Sequence, residues 1–402
     1  MNIGIIGGGA AGMAAALAAS EYENAQIVLM ERQARLGKKL SATGNGRCNL
    51  SNTHAIEGGY HGDEPGFHEF ALSQYPPAET LEWFSKLGLY TVTEPSGRVY
   101  PYSDQANSVV DVLRFALDRP NIEVLTDFEV MKVRKDGDAF HVTAKDRTLV
   151  FDRLIIACGG LAGTKLGGTM AGYKLLRSFG HKCTKLRPTL VQVKTSWPGV
   201  SALKGVRANC HAAIYHDGQL HRESVGEIQF TEFGLSGPVI YEISRDACQG
   251  SGDWECRLDF LPDLPVQKLM RPLMMKRNSN LNAEDLFTGI LHNRLGRVIV
   301  KEAGIRANLP ISELHERQIE DAIALAKDFR VTLTEPLGMD AAQVTAGGIV
   351  TNEFDPTTME SRLVPGLYAC GEVLDVDGDC GGYNLQWAWS SGRLAGRSAG
   401  KE

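Results

Sequence analysis

The chain has no run of about 18 consecutive apolar residues, which excludes a helical membrane span. Its apolar opening, Ile3–Ile6, is too short for a secretory signal and has no cationic flank, so a cytoplasmic protein is expected. Cysteine is present but never paired in sequence: the positions are 48, 158, 183, 210, 248, 256, 370 and 380, without a Cys-x-x-Cys. This scatter argues against a zinc site or a redox dithiol and fits reduced thiols; no metal is expected. Positive charge is in deficit, with a net charge of −6, so there is no general attraction to polyanions. At 402 residues the chain is long enough for two or three domains.

Against these absences stands one strong motif. Met1–Ile6 reads as a short buried strand, followed at once by Gly7-Gly-Gly9-Ala-Ala-Gly12 and an Ala-rich helical run. A second apolar strand, Ile27–Met30, ends on Glu31, 19 residues past Gly12. Gly-x-Gly-x-x-Gly in a strand–helix–strand setting binds a dinucleotide, with the diphosphate on the helix N-terminus and the acid on a ribose. The motif occurs once, so a dedicated nicotinamide domain is absent. NAD(P)H is therefore expected only as a transient electron donor.

Further along, 36–52 is rich in Gly, Asn and Ser and reads as a long loop with helical turns. Pro77–Leu87 and Asn107–Leu117 carry helical periods. Strands are expected at Ile122–Leu125, Phe128–Val133, Ala139–Ala144 and Phe151–Ala157, with a hairpin turn at Asp136-Gly-Asp. Beyond Pro188, short alternating strands at 190–194, 205–215 and 226–230 indicate an antiparallel β unit. Leu264–Ile323 is helical in pattern, strands return at 343–350 and 367–372, and a helix over Tyr383–Gly400 closes the chain. The expected organisation is a nucleotide-binding domain (1–188 and 341–402), a β-barrel-like insertion (189–262 and 324–340) and a helical insertion (263–323).

Two stretches depart from the acidic total. Positions 181–222 hold seven Lys/Arg and one acid, and 263–310 hold eight against four acids. Each is either a field for a polyanion or a solvated face whose partner acids lie elsewhere. In the loop after Glu31, Lys38, Lys39 and Arg47 are able to neutralise phosphate, and Asn45, Asn49 and Asn52 to bond a heterocycle edge. Cys48 is either a proton donor or a small packed side chain. Gly381-Gly382 opens the last helix and lets backbone amides approach a ligand.

Two later segments resemble glutathione-reductase-like flavoproteins and favour FAD over NAD: Ala157-Cys-Gly-Gly160 beside the first strand, and Gly371-Glu372, placed for the ribityl chain. More broadly, Gly44-Asn-Gly-Arg-Cys-Asn49, Phe230-Thr-Glu-Phe-Gly-Leu-Ser-Gly-Pro238, Gln343-Val-Thr-Ala-Gly-Gly-Ile349 and Gly381-Gly-Tyr-Asn-Leu-Gln386 resemble the BaiN/YhiN-like FAD-dependent oxidoreductases. Some members of that family are labelled aminoacetone oxidases. Glu232 departs from the pattern, because a His follows the Thr in some members.

The resemblance implies an α/β fold: a glutathione-reductase-like FAD-binding Rossmann domain interrupted by a β-barrel-like insertion and a small helical insertion. It places Gly7, Gly9, Ala10, Ala11, Gly12, Glu31 and Arg32 around FAD, with Lys39, Asn45, Gly46 and Arg47 from the polar loop. Val130, Gly159, Gly371, Glu372, Gly382, Tyr383 and Asn384 complete that set. Cys48 and Cys380 are the candidate proton donors. The implied chemistry is hydride transfer to a carbonyl-conjugated C=C, with a uridine of large-subunit ribosomal RNA as the leading substrate, bound through the two basic stretches. A small enone or amine, or a non-catalytic role in flavin- or RNA-dependent assembly, are the alternatives.

Overall fold

Five short apolar runs form one parallel sheet in the computed structural model, which describes residues 1–145 and 147–401. The order across the sheet is Leu367–Ala369, Arg153–Ile156, Asn2–Ile6, Gln26–Met30, Ile122–Leu125. The first strand is therefore central. The chain winds outward from it in one direction, then returns to build the other side. Such a reversal leaves a crevice at the carboxyl ends of the two strands where it occurs, here Ile6 and Ile156.

The helix after the glycine loop, Ala10–Ala19, is almost entirely buried and made of Ala, Met, Leu and one Gly. Ten residues are too few for a stable isolated helix, so this one depends on packing. It packs on the C-terminal helix, Tyr383–Gly400. The two backbones come so close that a Cβ at Gly392 or Gly396 would strike the carbonyl oxygen of Ala11 or Ala15. Trp387 and Trp389 fill the space beside this contact and are fully buried.

The expected strand over Phe151–Ala157 is two strands. Thr148–Phe151 pairs antiparallel with Ala139–Ala144, whereas Arg153–Ile156 joins the parallel sheet. Asp152 marks the break: its carboxylate accepts from Asn2 N–H at 2.6 Å, and its own N–H donates to Asn2 O at 2.9 Å. The pairing partner thus changes at one residue, Asp152, between Phe151 and Arg153.

By density of contacts the chain divides into 1–188 with 343–402, and Thr189–Ala342. The second unit is a closed antiparallel barrel of six strands with helices at Val266–Met275, Asn293–Glu302 and Glu316–Lys327. Alternation along Trp254–Asp259 sends Trp254, Cys256 and Leu258 inward, and Phe329, Val331 and Leu333 do the same on their strand. These residues and the inward faces of the helices share one hydrophobic core. No described helix is long and apolar enough to cross a membrane.

Candidate functional site

The glycine loop lies at the carboxyl end of the central strand. Gly7 has φ +114°, a region closed to most side chains, and its N–H donates to Met30 O at 2.8 Å. A Cβ on Gly12 would collide with Gly7 O, so the first helical turn sits directly on the loop. Above Gly9, the N-cap of the helix, there is nothing within 4 Å of where a Cβ would be. The helix has no side-chain cap and no acid in its first turn. Its leading amides, including those of Ala10, Ala11 and Gly12, therefore present their partial positive charge to an open face.

Glu31 ends the second strand, and backbone donors hold it there. Its two carboxylate oxygens accept from Gly8 N–H and Gln33 N–H, each at 2.8 Å. Arg32 reaches Gly167 O at 2.9 Å, tying the loop after the Gly159-Gly160 turn to this strand end. Gly159 itself has φ +70° and, like Gly9, open space above it. Val130 is buried at the start of the strand Val130–Asp136.

Lys39 and Glu372 form an ion pair at 2.8 Å. The other Glu372 oxygen accepts Thr345 N–H at 2.8 Å, while Thr345 Oγ1 accepts from Leu161 N–H and Ala162 N–H at 2.9 Å. Thr345 thus fixes both the turn after Gly160 and the acid from the C-terminal strand. Nothing in the sequence marks Thr345 as a site residue except its place in the Gln343–Ile349 segment. Gly371 N–H donates to Ser391 Oγ at 3.0 Å, and Trp387 Nε1 donates to Gly371 O at 3.2 Å. The last helix therefore aligns the Gly371-Glu372 turn.

Gly382, with φ +102°, is the N-cap of that helix, and a Cβ there would strike Ser51 O. The Tyr383 carbonyl accepts from Tyr60 OH at 3.0 Å. The Asn384 side chain is committed to its own loop, accepting Gly378 N–H at 2.9 Å and donating to Gly378 O at 2.7 Å. Only its backbone is left for a ligand. Next to these residues is a pair that sequence reading misses: His61 Nε2 lies 2.8 Å from Asp379 Oδ1, both about one-quarter exposed. The two residues stand 318 positions apart, and neither belongs to a local motif.

The polar loop divides. Asn45 and Gly46 are exposed in left-handed conformations. Arg47, expected at a phosphate, has other partners: Asp104 at 2.5 Å and Glu94 at 3.4 Å, with its guanidinium 4.1 Å over the Tyr100 ring. Its charge is already balanced there. Cys48, expected as one possible acid, is fully buried, and burial pushes its thiol up to about 12. Such a thiol stays protonated and packs as a small apolar side chain. Cys380 is half-buried, one residue before Gly381.

These features fit FAD. An uncapped helix N-terminus and two open glycine faces suit a diphosphate, Glu31 suits a ribose, and Glu372 with Lys39 lies at the second turn. A separate cavity of about 640 Å³, lined by Met170, Arg177, His181, Lys182, Cys183, Thr184 and Leu186, contains none of these residues. Among the described residues no His, Cys, Asp and Glu cluster could hold a metal ion.

Comparison with known proteins agrees with this geometry. Residues 1–398 match the family described as HI0933-like protein Rossmann domain. The chain is 40% identical over 408 residues to the 3-dehydro-bile acid delta(4,6)-reductase of Clostridium scindens, covering 99% of this chain and 98% of that one. It is 31% identical over 392 residues to the ribosomal RNA dihydrouridine synthase of Escherichia coli, covering 96% and 95%. Among solved structures, 3-ketosteroid delta1-dehydrogenase from Sterolibacterium denitrificans superposes with a TM-score of 0.50 at 12% identity, covering 99% of both chains, a likeness of fold alone.

Proposed function

This chain belongs to the HI0933-like family and is an FAD-dependent oxidoreductase, and on that premise we propose that it reduces a C=C conjugated to a carbonyl. The observation that carries this reading is its identity, over nearly the whole chain, to two relatives of different named substrate. A dienone of a bile acid and a uridine share one reducible unit, an alkene polarised by a carbonyl. When bound, FAD supplies the hydride that such an alkene accepts at its β-carbon.

The chain's own residues supply the rest. The amides of the first helical turn and the open faces of Gly9 and Gly159 receive the diphosphate, and Glu31 orients the adenosine ribose. Glu372, held by Thr345 N–H and Lys39, accepts from the ribityl chain. The backbone at Gly382 and Tyr383 directs a helix N-terminus toward the redox end and favours negative charge there. NAD(P)H is the proposed visiting donor; anaerobic mixing with each nucleotide, followed by bleaching of the flavin band, tests it.

Between the two substrates, we favour a small cyclic enone. Several cations of the basic stretches that pointed to RNA already have partners within the protein. Lys194 pairs with Glu335 and Lys204 with Glu232, each at 2.7 Å, and Arg222 with Asp246 at 3.1 Å. Arg297 faces Glu284 at 3.4 Å, and Lys276 donates to the carbonyls of Asp285, Leu286 and Thr288. A uridine of ribosomal RNA is the second reading, favoured by the Escherichia coli relative. The deciding test reduces the holoenzyme anaerobically and mixes it with a 3-oxo-4,6-diene bile acid or a uridine-containing RNA hairpin. Reoxidation by the steroid, indifferent to salt, supports the first reading. Reoxidation by RNA alone, weakening steeply as salt rises, replaces it with the second. Reoxidation by neither overturns the reaction class.

A further inference from the structure

Reduction of a conjugated alkene needs a proton as well as a hydride, and the sequence suggests two cysteines to give it. Cys48 is sealed in the core with its thiol pushed up to about 12. Cys380 is half-buried, one residue before Gly381. The His61–Asp379 pair has an arrangement suited to proton transfer, an imidazole with a carboxylate 2.8 Å from one ring nitrogen.

Two-residue strands, Tyr60–His61 and Asp377–Gly378, pair antiparallel, placing His61 opposite Asp377. The chain then runs through Asp379 to Gly382, the N-cap of the last helix. Three further contacts lock His61 to that helix. Tyr60 OH donates to Tyr383 O at 3.0 Å, Asp379 N–H donates to Gly59 O at 2.8 Å, and the Tyr60 and Tyr383 rings meet edge-on at 5.8 Å. Gly59 must be glycine here: φ is +83°, and a Cβ would come within 2.8 Å of the Tyr383 ring and 3.1 Å of Asp379. His61 Nε2 is engaged by Asp379, while Nδ1 has no partner among the described residues. The ring is one-quarter exposed, so it is reachable. Titratable neighbours include His68, whose ring lies tilted against Tyr60 at 4.7 Å, and Asp377.

We propose that His61 is the catalytic acid of this site and Asp379 its positioning partner. The assignment rests on the reading that the enzyme reduces a carbonyl-conjugated C=C. The β-carbon would receive a hydride, two electrons and a hydrogen, which FAD would supply when bound and reduced. The alkene π pair then takes the Nδ1 proton of the His61 imidazolium at the α-carbon. Two C–H bonds form, the flavin is oxidised and the substrate reduced. His61 is left neutral, still donating Nε2–H to Asp379, and regains its proton from water. A carboxylate behind one nitrogen of a histidine fixes the ring and its tautomer, which leaves the other nitrogen for transfer.

The test uses holoenzyme carrying His61→Asn or Asp379→Asn, reduced anaerobically and then reoxidised by a 3-oxo-4,6-diene bile acid, by a uridine-containing RNA hairpin, or by O2. Positioned acids contribute about 100-fold or more. His61→Asn should slow reoxidation by the carbon substrate by about 100-fold, with the FAD absorbance, melting temperature and O2 reoxidation unchanged, and added imidazole should restore part of the rate. Asp379→Asn should slow the same step by about 10-fold. A His61→Asn enzyme as fast as wild type overturns the assignment, and so does one slowed equally toward O2. If His61→Asn fails to fold or to hold FAD, Asp379→Asn decides: a wild-type rate, or loss of FAD there too, makes the pair a structural clip and overturns it. Wild-type enzyme that neither carbon substrate reoxidises removes the reaction class, and this assignment with it.

Discussion

Lys39 and Glu372 meet at 2.8 Å although 333 positions separate them. The pair joins the polar loop that follows the first strand–helix–strand unit to the strand that completes the sheet near the C-terminus. Both side chains keep some exposure, so as an ion pair it is worth at most about 1 kcal/mol of stability. In the proposed FAD site its role is to orient Glu372 as an acceptor for the ribityl chain. Glu372→Gln keeps the oxygen that accepts Thr345 N–H but loses the charge that Lys39 recognises. We expect about a tenfold rise in the dissociation constant for FAD, read by flavin fluorescence titration, with the melting temperature of the apoprotein nearly unchanged. An unaltered constant would remove Glu372 from the cofactor's surroundings.

Gly9 and Gly12 should fail in different ways. Gly12→Ala places a methyl against Gly7 O and should destabilise the protein by about 1–3 kcal/mol, visible as a lower melting temperature with or without FAD. Gly9→Ala meets no protein atom within 4 Å and should leave apoprotein stability within about 0.5 kcal/mol while weakening FAD. Equal stability losses in the two variants would contradict the open face above Gly9.

Arg47→Ala should leave FAD affinity unchanged, because its guanidinium is held by Asp104, Glu94 and the Tyr100 ring. The expected stability loss is below about 1 kcal/mol, as for other exposed pairs. A marked fall in flavin content on purification would show that Arg47 serves the cofactor after all.

His181 predicts a pH dependence. Its Nδ1 lies 2.8 Å from Glu353 and its Nε2 2.9 Å from Ser361 Oγ, with the ring stacked on Phe354. Burial is the larger influence and lowers its pKa below 6.5, with Glu353 opposing. A histidine whose native pKa is depressed binds its proton more readily when unfolded. Its contribution is therefore full above about 6.5 and is lost as the pH falls through the native value. Calorimetry from pH 7.5 to 5 should show the melting temperature falling, with a shallower slope in His181→Gln. Parallel slopes would assign the pH dependence to carboxylates.

Where the signal is local, the sequence and structure coincide. The glycine loop needed only one strand, one turn and one helix, all within 31 residues, and the last helix was readable to its ends, Tyr383 and Gly400, from Gly381-Gly382 and the aromatic–Ala pattern. The break at Asp152 was not legible, since the polar pair Asp152-Arg153 could equally sit within one strand and the change of partner depends on Asn2. The engagement of Arg47 was hidden for the same reason: Asp104 and Glu94 lie 57 and 47 positions away. His61–Asp379 is the extreme case. Two unremarkable polar residues become a pair only when two strands of two residues each are brought together.

The division of the chain has a consequence for biosynthesis. The sheet strand Leu367–Ala369 and the helix that supports Ala10–Ala19 are translated after Thr189–Ala342, which is one continuous segment. The usual order of domain folding on the ribosome, N-terminal first, is therefore inverted. The barrel can close while the glycine loop is still waiting, its alanine helix too short to persist alone. Nascent chains stalled just past residue 342 should yield a protease-resistant fragment containing the barrel and leave residues 1–188 open to digestion, so that competence for flavin arrives only after Tyr383–Gly400 has been made.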